Sequence, residues 1–184
     1  MQKFLLIAVL LCGVLITMTA RADQTDERLD ELFQILRGSD DLDKVGLAEQ
    51  AIWGIWMKSG DDEMDLLLEQ GAMQMQARQF GAALSMFNTV IAERPEFAEG
   101  WNKRATLYYL MGELDRSIAD CEKTLALEPR HFGALFGLGL IYAAKRQEDK
   151  AIASLERALM VHPHLSNAVD FINELKSRLK SREV

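Results

Sequence analysis

Hydrophobic positions along this chain repeat with a period of 34 residues, and each period holds two stretches in which apolar residues follow helical spacing. The only three prolines, Pro95, Pro129 and Pro163, lie 34 residues apart, one at the end of each period. Proline lacks a backbone N–H group and disfavours helical geometry in the residue before it. The pattern therefore predicts three consecutive pairs of helices, each ended by a proline.

Residue size is also kept from one period to the next. Each period has a small residue in its first helix and a small residue in its second helix. One turn after the second small residue, two of the three periods have a large residue. These sets are Gly71, Ala105 and Gly139; Ala83, Ser117 and Ala151; and Phe87, Cys121 and Leu155. Two helices approach closely where small side chains lie at the crossing point and large ones fill the grooves beside it. We therefore expect the helices of each pair to be antiparallel neighbours.

This pattern resembles the tetratricopeptide repeat, which has the form W-x2-L-G-x2-Y, then A-x3-F, then P. The resemblance covers Met64 to Leu165. It rests on Gly71, Ala83, Phe87 and Pro95, on Trp101, Tyr108, Ser117 and Pro129, and on Leu135, Leu138, Gly139, Tyr142, Ala151, Ala158 and Pro163. Arg78 and Arg146 stand in the turn where the family usually has Gly, whereas Gly112 keeps it. The resemblance implies an all-α solenoid, a right-handed superhelical array of antiparallel helix pairs.

The segments on either side of the repeats are also predicted to be helical. Apolar residues with helical spacing predict an N-terminal hairpin, either a degenerate repeat or a cap, and a C-terminal capping helix with a basic tail. The hairpin faces consist of Leu29, Leu32, Phe33 and Leu36, then Ala48, Ile52, Ile55 and Trp56. The expected segments are 1–22, a secretory signal; 23–63, the hairpin; 64–97, 98–131 and 132–165, the repeats; and 166–184, the capping helix.

The first 22 residues have the pattern of a secretory signal. Lys3 precedes an apolar run from Phe4 to Met18, and Ala20 and Ala22 are the small residues that specify cleavage. The run is shorter than the ~18 residues that span a bilayer, so we do not expect stable membrane insertion after cleavage. We expect cleavage after Ala22 and a periplasmic protein.

Charge is unevenly distributed along the chain. The formal net charge is −7, and removal of Lys3 and Arg21 with the signal makes it −9. Residues 23–65 contain 13 acidic and four basic residues, a net charge of −9. The positive and negative charges of the residues after 65 therefore cancel. A balanced repeat surface argues against a nucleic-acid partner. The acidic segment either attracts a basic partner or forms a solvated face.

No motif in the sequence points to an enzyme. There is no nucleophile elbow, phosphate loop or dinucleotide fingerprint. His131, His162 and His164 lie in turns without a second ligand at helical spacing, so we expect neither a metal nor a cofactor. Cys121, on the inner face of a helix, is expected to be buried and unreactive.

The family resemblance implies that the first helices of the repeats line a concave groove that binds peptides or partner helices. Twelve positions are expected to face this groove. They are Asp65, Leu68, Ala72 and Met75; Glu99, Asn102, Thr106 and Tyr109; and Gly133, Phe136, Leu140 and Ala143. Our candidate binding residues are Leu68, Ala72, Met75, Asn102, Thr106, Tyr109, Phe136 and Leu140.

The groove composition favours one class of partner. Chaperone adaptors of the family clamp a terminal carboxylate with Lys, Asn and Arg, and only Asn102 and Lys103 correspond to that set. An apolar or amphipathic segment of a partner protein suits the groove better, and the expected function is a noncatalytic periplasmic scaffold. The alternative is a self-associating structural module, such as a homo-oligomer, whose groove is filled by its own helices or by a second subunit.

Overall fold

The structure is a computed structural model that describes residues 23–182. The predicted secretory signal, residues 1–22, lies outside the described residues. Within the described range a short 3-10 helix, Asp23–Thr25, precedes nine α-helices, and there is no strand. The helices are α1 (Arg28–Gly38), α2 (Leu42–Trp56), α3 (Asp62–Gln76), α4 (Phe80–Glu93), α5 (Ala98–Leu110), α6 (Leu114–Leu127), α7 (Phe132–Ala144), α8 (Glu148–Val161) and α9 (Ser166–Arg182). The prediction of an all-α array of helix pairs is confirmed.

Close helix crossings hold the three pairs together. Helix α3 packs on α4, α5 on α6 and α7 on α8, and each second helix also packs on the first helix of the next pair. A Cβ atom at Gly71 would lie 2.6 Å from Phe87 Cε1, and one at Gly139 would lie 2.6 Å from Leu155 Cγ. At these distances a Cβ atom would force Phe87 or Leu155 to shift, so glycine allows the observed approach of the two helices. The crossing positions are the ones that the sequence predicts.

The turn inside each repeat contains one residue with a left-handed backbone. The φ angles are 59° at Arg78, 76° at Gly112 and 57° at Arg146. Glycine adopts this conformation freely, whereas other residues lose roughly 1–2 kcal/mol. Because both arginines keep the left-handed turn, their departure from the family pattern leaves the connection between the helices unchanged.

Helix α9 covers the end of the array. Ala168, Ile172 and Leu175 are buried in one cluster with Ala151 and Leu155 of α8. A repeat at the end of a solenoid exposes an apolar face that the next repeat would have covered. Helix α9 covers that face.

The hairpin of α1 and α2 does not stack in front of α3. Its apolar face packs on the third repeat, where Phe132 at the start of α7 and Val161 at the end of α8 join its core cluster. Trp56, expected in the core, is 2% exposed. An ion pair of 2.6 Å between Asp30 and Arg130 adds a second link between the hairpin and the repeats. The hairpin therefore folds back along the array.

The turn between α2 and α3 is fixed by hydrogen bonds. The backbone N–H of Ser59 donates to Asp65 Oδ1 at 2.6 Å, and the Ser59 hydroxyl donates to the same oxygen at 2.7 Å. The side chain of Asp61 caps α3 and also pairs with Arg94 of α4. Gly60 has a φ of 78°, which lets the chain reverse at this point.

No helix within residues 23–182 combines the length and the apolar composition that a bilayer span requires.

Two glycines of α7 provide a matched test of the helix crossing. Gly139→Ala places a methyl group against Leu155, whereas Gly137→Ala meets only Cys121 Sγ, at 3.8 Å. Alanine improves helix propensity by about 1 kcal/mol at either position. We expect Gly139→Ala to lower the free energy of unfolding by about 1 kcal/mol or more because the core is overpacked. We expect Gly137→Ala to raise it, and equal effects in urea unfolding would contradict the packing described here.

Candidate protein-binding groove

The first helices of the repeats form one continuous layer, because α3 contacts α5 and α5 contacts α7. A pocket of about 70 Å³ opens in this layer between α5 and α7. We call it the central pocket. Its lining consists of Asn102, Ala105, Thr106 and Tyr109 of α5, Ser117 and Cys121 of α6, and Gly133, Gly137, Leu140 and Ile141 of α7. The lining is mainly apolar, so the pocket suits an aliphatic side chain.

The pocket exists because two of its lining residues on α7 are glycines. Gly133 and Gly137 lie one turn apart and both line the pocket. At Gly137 the only atom within 4 Å of a Cβ position is Cys121 Sγ. A larger residue at this position would extend into the pocket and fill it.

The polar atoms of the central pocket are mostly paired within the protein. Ser117 Oγ donates to the carbonyl of Ala105 at 2.7 Å, and Thr106 Oγ1 donates to the carbonyl of Asn102 at 3.0 Å. Thr106 is exposed, and its hydroxyl oxygen keeps lone pairs that accept a hydrogen bond from a bound backbone. Burial, together with the nearby Asp120 and Glu122 charges, raises the pKa of Cys121 to about 12. The thiol is therefore protonated and unreactive at neutral pH.

A buried carboxylate lies beside the pocket. Glu99 of α5 receives hydrogen bonds from Asn102 Nδ2 at 3.0 Å and from His131 Nε2 at 2.9 Å, and Lys103 Nζ lies 2.8 Å away. Burial by itself would raise the pKa of Glu99, but the Lys103 charge and the His131 hydrogen bond lower it to about 2. Asn102 and Lys103 thus bind a carboxylate that belongs to the protein itself.

His131 joins this network to the hairpin. Its Nδ1 accepts the backbone N–H of Ala134 at 3.1 Å, which assigns the ring proton to Nε2 and makes Nε2 the donor to Glu99. The ring of Trp56 stacks on His131 with 4.1 Å between centroids and an interplanar angle of 10°. The hairpin therefore closes over the polar network at the start of α7.

The hairpin also ends the groove. Trp53 covers Gly133 so closely that a Cβ atom there would lie 2.6 Å from Trp53 Cη2. Gly133 also lines the central pocket. The Trp53 ring and the central pocket are therefore neighbours that meet at Gly133. The groove is closed at this end and open toward Thr106 and Tyr109.

The structure brings together four of the eight candidate residues. Asn102, Thr106, Tyr109 and Leu140 line the central pocket, although Asn102 is only 8% exposed. The other four candidates lie outside it. They are Leu68, Ala72, Met75 and Phe136.

Leu68 and Phe136 differ from expectation because neighbouring helices cover them. Leu68 is 0% exposed and lies in a core cluster with Phe97, which precedes α5, and with Leu107 of α5, so no ligand reaches it. Phe136 is half-buried against the cluster that α9 completes. Ala72 and Met75 are half-buried on α3, away from the pocket.

Several lining residues were not among the candidates. The sequence assigns Ala105, Ser117 and Cys121 to helix packing, and all three line the pocket. Ala105 and Cys121 also belong to a buried core cluster. Gly137 was overlooked, although three glycines within seven residues of α7 are a visible signal for open space on that helix.

Within residues 23–182, no three His, Cys, Asp or Glu side chains are grouped as metal ligands would be. A wider cleft of about 510 Å³ lies between α1 and α2, on the side of α2 opposite to Trp53 and Trp56, and is open to solvent.

Comparisons with known proteins agree with this architecture. A tetratricopeptide repeat profile matches residues 68–127 and 103–164, together more than half of the chain. A TPR repeat-containing protein of Rhizobium etli is 32% identical over 167 residues, which cover 91% of this chain and 82% of that protein. The chain belongs to the tetratricopeptide repeat family.

Solved structures share the fold at low sequence identity. The first TPR domain of Spaghetti (RPAP3), bound to the HSP90 peptide SRMEEVD, matches with a TM-score of 0.62 and 19% identity. That match covers 65% of this chain and 96% of the domain. The crystal structure of MamA matches with a TM-score of 0.61 and 18% identity, over 79% of this chain and 88% of MamA. Both comparisons show a common fold.

The surface under the hairpin gives a pH-dependent prediction. His162 Nε2 lies 3.4 Å from Glu49 Oε2, and the imidazole ring also faces Phe132 and His164. Burial lowers the pKa of His162 from 6.5, Glu49 opposes this effect, and His164 adds to it. The folded protein therefore favours the neutral imidazole more than the unfolded chain does.

We expect this histidine to destabilise the protein in acid. As pH falls below about 6.5, the unfolded chain binds a proton at His162 that the folded protein resists, so stability is lost. Thermal midpoints measured from pH 7.5 to 5 should fall more for the wild type than for His162→Gln. Parallel curves for the two proteins would show that His162 does not contribute.

Proposed function

We propose that the protein is a noncatalytic scaffold that binds an apolar or amphipathic segment of a partner protein in the central groove. The observation that carries this proposal is the central pocket, which is apolar, open toward Tyr109 and framed by two glycines of α7. An aliphatic side chain of the partner enters the pocket, and Thr106 accepts a hydrogen bond from the backbone of the partner.

The buried Glu99 network argues for this partner over an acidic C-terminal peptide. The related fold of the RPAP3 domain holds the peptide SRMEEVD, which supports peptide binding as a use of such an array. In this chain, however, Asn102 and Lys103 are already paired with Glu99. An incoming carboxylate would meet a buried charge of the same sign, which disfavours binding.

We further propose that the protein is exported to the periplasm with cleavage after Ala22. Support comes from the order of Lys3, the apolar run Phe4–Met18 and the small residues Ala20 and Ala22. Protein recovered from the periplasmic fraction should have Asp23 as its first residue in N-terminal sequencing. An intact N-terminus at Met1 in the membrane fraction would contradict this proposal.

Site-specific crosslinking tests the groove. A photoreactive residue in place of Thr106 should capture a partner in living cells, and the same residue in place of Met160, exposed on α8, should not. Gly137→Leu fills the pocket and should abolish capture, whereas Gly81→Leu on α4, where a Cβ meets nothing within 4 Å, should leave it intact. Equal capture at both positions, or no effect of Gly137→Leu, would overturn the groove as the binding surface.

The captured partner then allows a quantitative measurement. Tyr109→Ala should weaken its affinity by about tenfold or more, because aromatic residues beside a pocket carry a large share of binding energy. Solution mass must stay constant in this variant. If Tyr109→Ala instead converts a dimer into a monomer, the groove is filled by a second subunit and the protein is a self-associating module.

A further inference from the structure

The first helix of the first repeat leaves an apolar stripe exposed at one end of the array. The stripe consists of Leu66, Gln70 and Met73 of α3 and of Ala77, the C-cap residue, which follow one another at helical spacing. Leu66 and Met73 are each 54% exposed. We call this stripe the front face.

The positions equivalent to the front face are buried in the other two repeats. A shift of one 34-residue period takes Met73 to Leu107 and then to Ile141, which are 0% and 1% exposed. Leu107 is buried with Val90 of α4, and Ile141 is buried with Cys121 of α6. In both cases the second helix of the preceding repeat supplies the cover. The front face therefore corresponds to a surface on which the other repeats stack.

Leu66 shows the same difference between the repeats. Its equivalents, Gly100 and Ala134, are both buried, and a Cβ atom at Gly100 would lie 3.1 Å from Val90 Cγ1 of α4. The hairpin, which directly precedes α3 in the chain, packs on the third repeat. Helix α9 covers the opposite end of the array. The front face is thus the end that stays open to a second molecule.

The residues along α3 are arranged symmetrically about Gln70. Leu66 precedes it by one turn, and Met73 follows it by one turn. Glu63 lies in the first turn of α3, and Arg78 follows the end of the helix; both are exposed. When two copies of α3 pack antiparallel with Gln70 at the two-fold axis, Leu66 meets Met73 and Glu63 meets Arg78, each contact occurring twice.

We propose that the front face joins two copies of this chain in a symmetric dimer, by antiparallel packing of α3 on α3. A second copy suits this surface because its apolar centre and its opposite charges at the two ends become complementary under two-fold rotation. The contact buries exposed apolar side chains from both copies, which favours association. The front face shares no residue with the central pocket, so the proposal does not rest on the proposed groove function.

Sedimentation velocity of the purified chain over a wide concentration range measures the dimer. Met73→Asp buries an unpaired charge in the contact and should weaken dimerisation about tenfold or more. Met160→Asp, on the exposed side of α8, should leave dimerisation unchanged. Tyr109→Ala should also leave it unchanged, because the groove is not the contact. A wild type that stays monomeric at millimolar concentration, or equal effects of Met73→Asp and Met160→Asp, overturns the proposal.

Charge exchange tests the two-fold arrangement itself. Glu63→Arg or Arg78→Glu alone places like charges opposite each other, so each variant should dimerise more weakly than the wild type. An equimolar mixture of the two variants should dimerise again, because both Glu–Arg pairs are restored with their order reversed. A mixture that dimerises no better than the separate variants contradicts antiparallel packing of α3.

Glu69 provides a variant that should strengthen the contact. It lies beside Gln70 at the edge of the front face, so the two-fold axis brings the carboxylates of the two copies near each other. Because like charges repel, Glu69→Gln should tighten the dimer, and most clearly at low salt. Unchanged or weaker dimerisation of this variant would contradict the position of the axis.

Disulfide trapping covers the case in which a charged variant fails to fold. Gln70→Cys places a thiol at the axis in both copies, and mild oxidation should join them into a covalent dimer. Gln76→Cys, exposed on the same helix, is the matched control, because its two copies would lie roughly 18 Å apart along the helix axis. Native Cys121 is buried and does not interfere. Equal crosslinking at both positions, or none at position 70, overturns the proposal.

Discussion

The close approach of paired helices is the constraint on which the rest of the structure depends. Gly71 against Phe87 and Gly139 against Leu155 leave no room for a Cβ atom in the observed packing, so the first and third pairs each have one crossing point and one register. That register fixes where α5 and α7 face each other, and hence the central pocket. It also places the start of α7 beside the end of α8, where the hairpin binds.

This constraint explains why the repeat array could be predicted from the sequence. Small residues at a fixed period are a local signal that any packed array of helix pairs must satisfy, and Gly139 and Ala151 occupy the crossing as expected. Arg78 and Arg146 show that helix packing determines the turn even where the residue type disfavours it. They keep a left-handed turn that disfavours them, because packing of the two helices on either side outweighs the local strain.

The position of the hairpin and part of the groove could not be predicted in the same way. Trp53 meets Gly133 across 80 positions of sequence, and no periodic pattern carries that information. The place of Leu68 in the repeat predicts a groove position, but Leu68 is buried with Phe97, just before α5, and with Leu107 of α5. Both differences have one cause: exposure depends on which element packs above a residue, and periodicity reports only which face of a helix it lies on.

The hairpin lies on the third repeat and closes one end of an otherwise open groove. Nuclear Overhauser effects from the indole protons of Trp53 and Trp56 measure this directly. We expect cross-peaks from Trp56 to the ring protons of His131 and from Trp53 to the α protons of Gly133. Cross-peaks from these indoles to side chains of α3, with none to His131 or Gly133, would place the hairpin in front of the first repeat and contradict the packing described here.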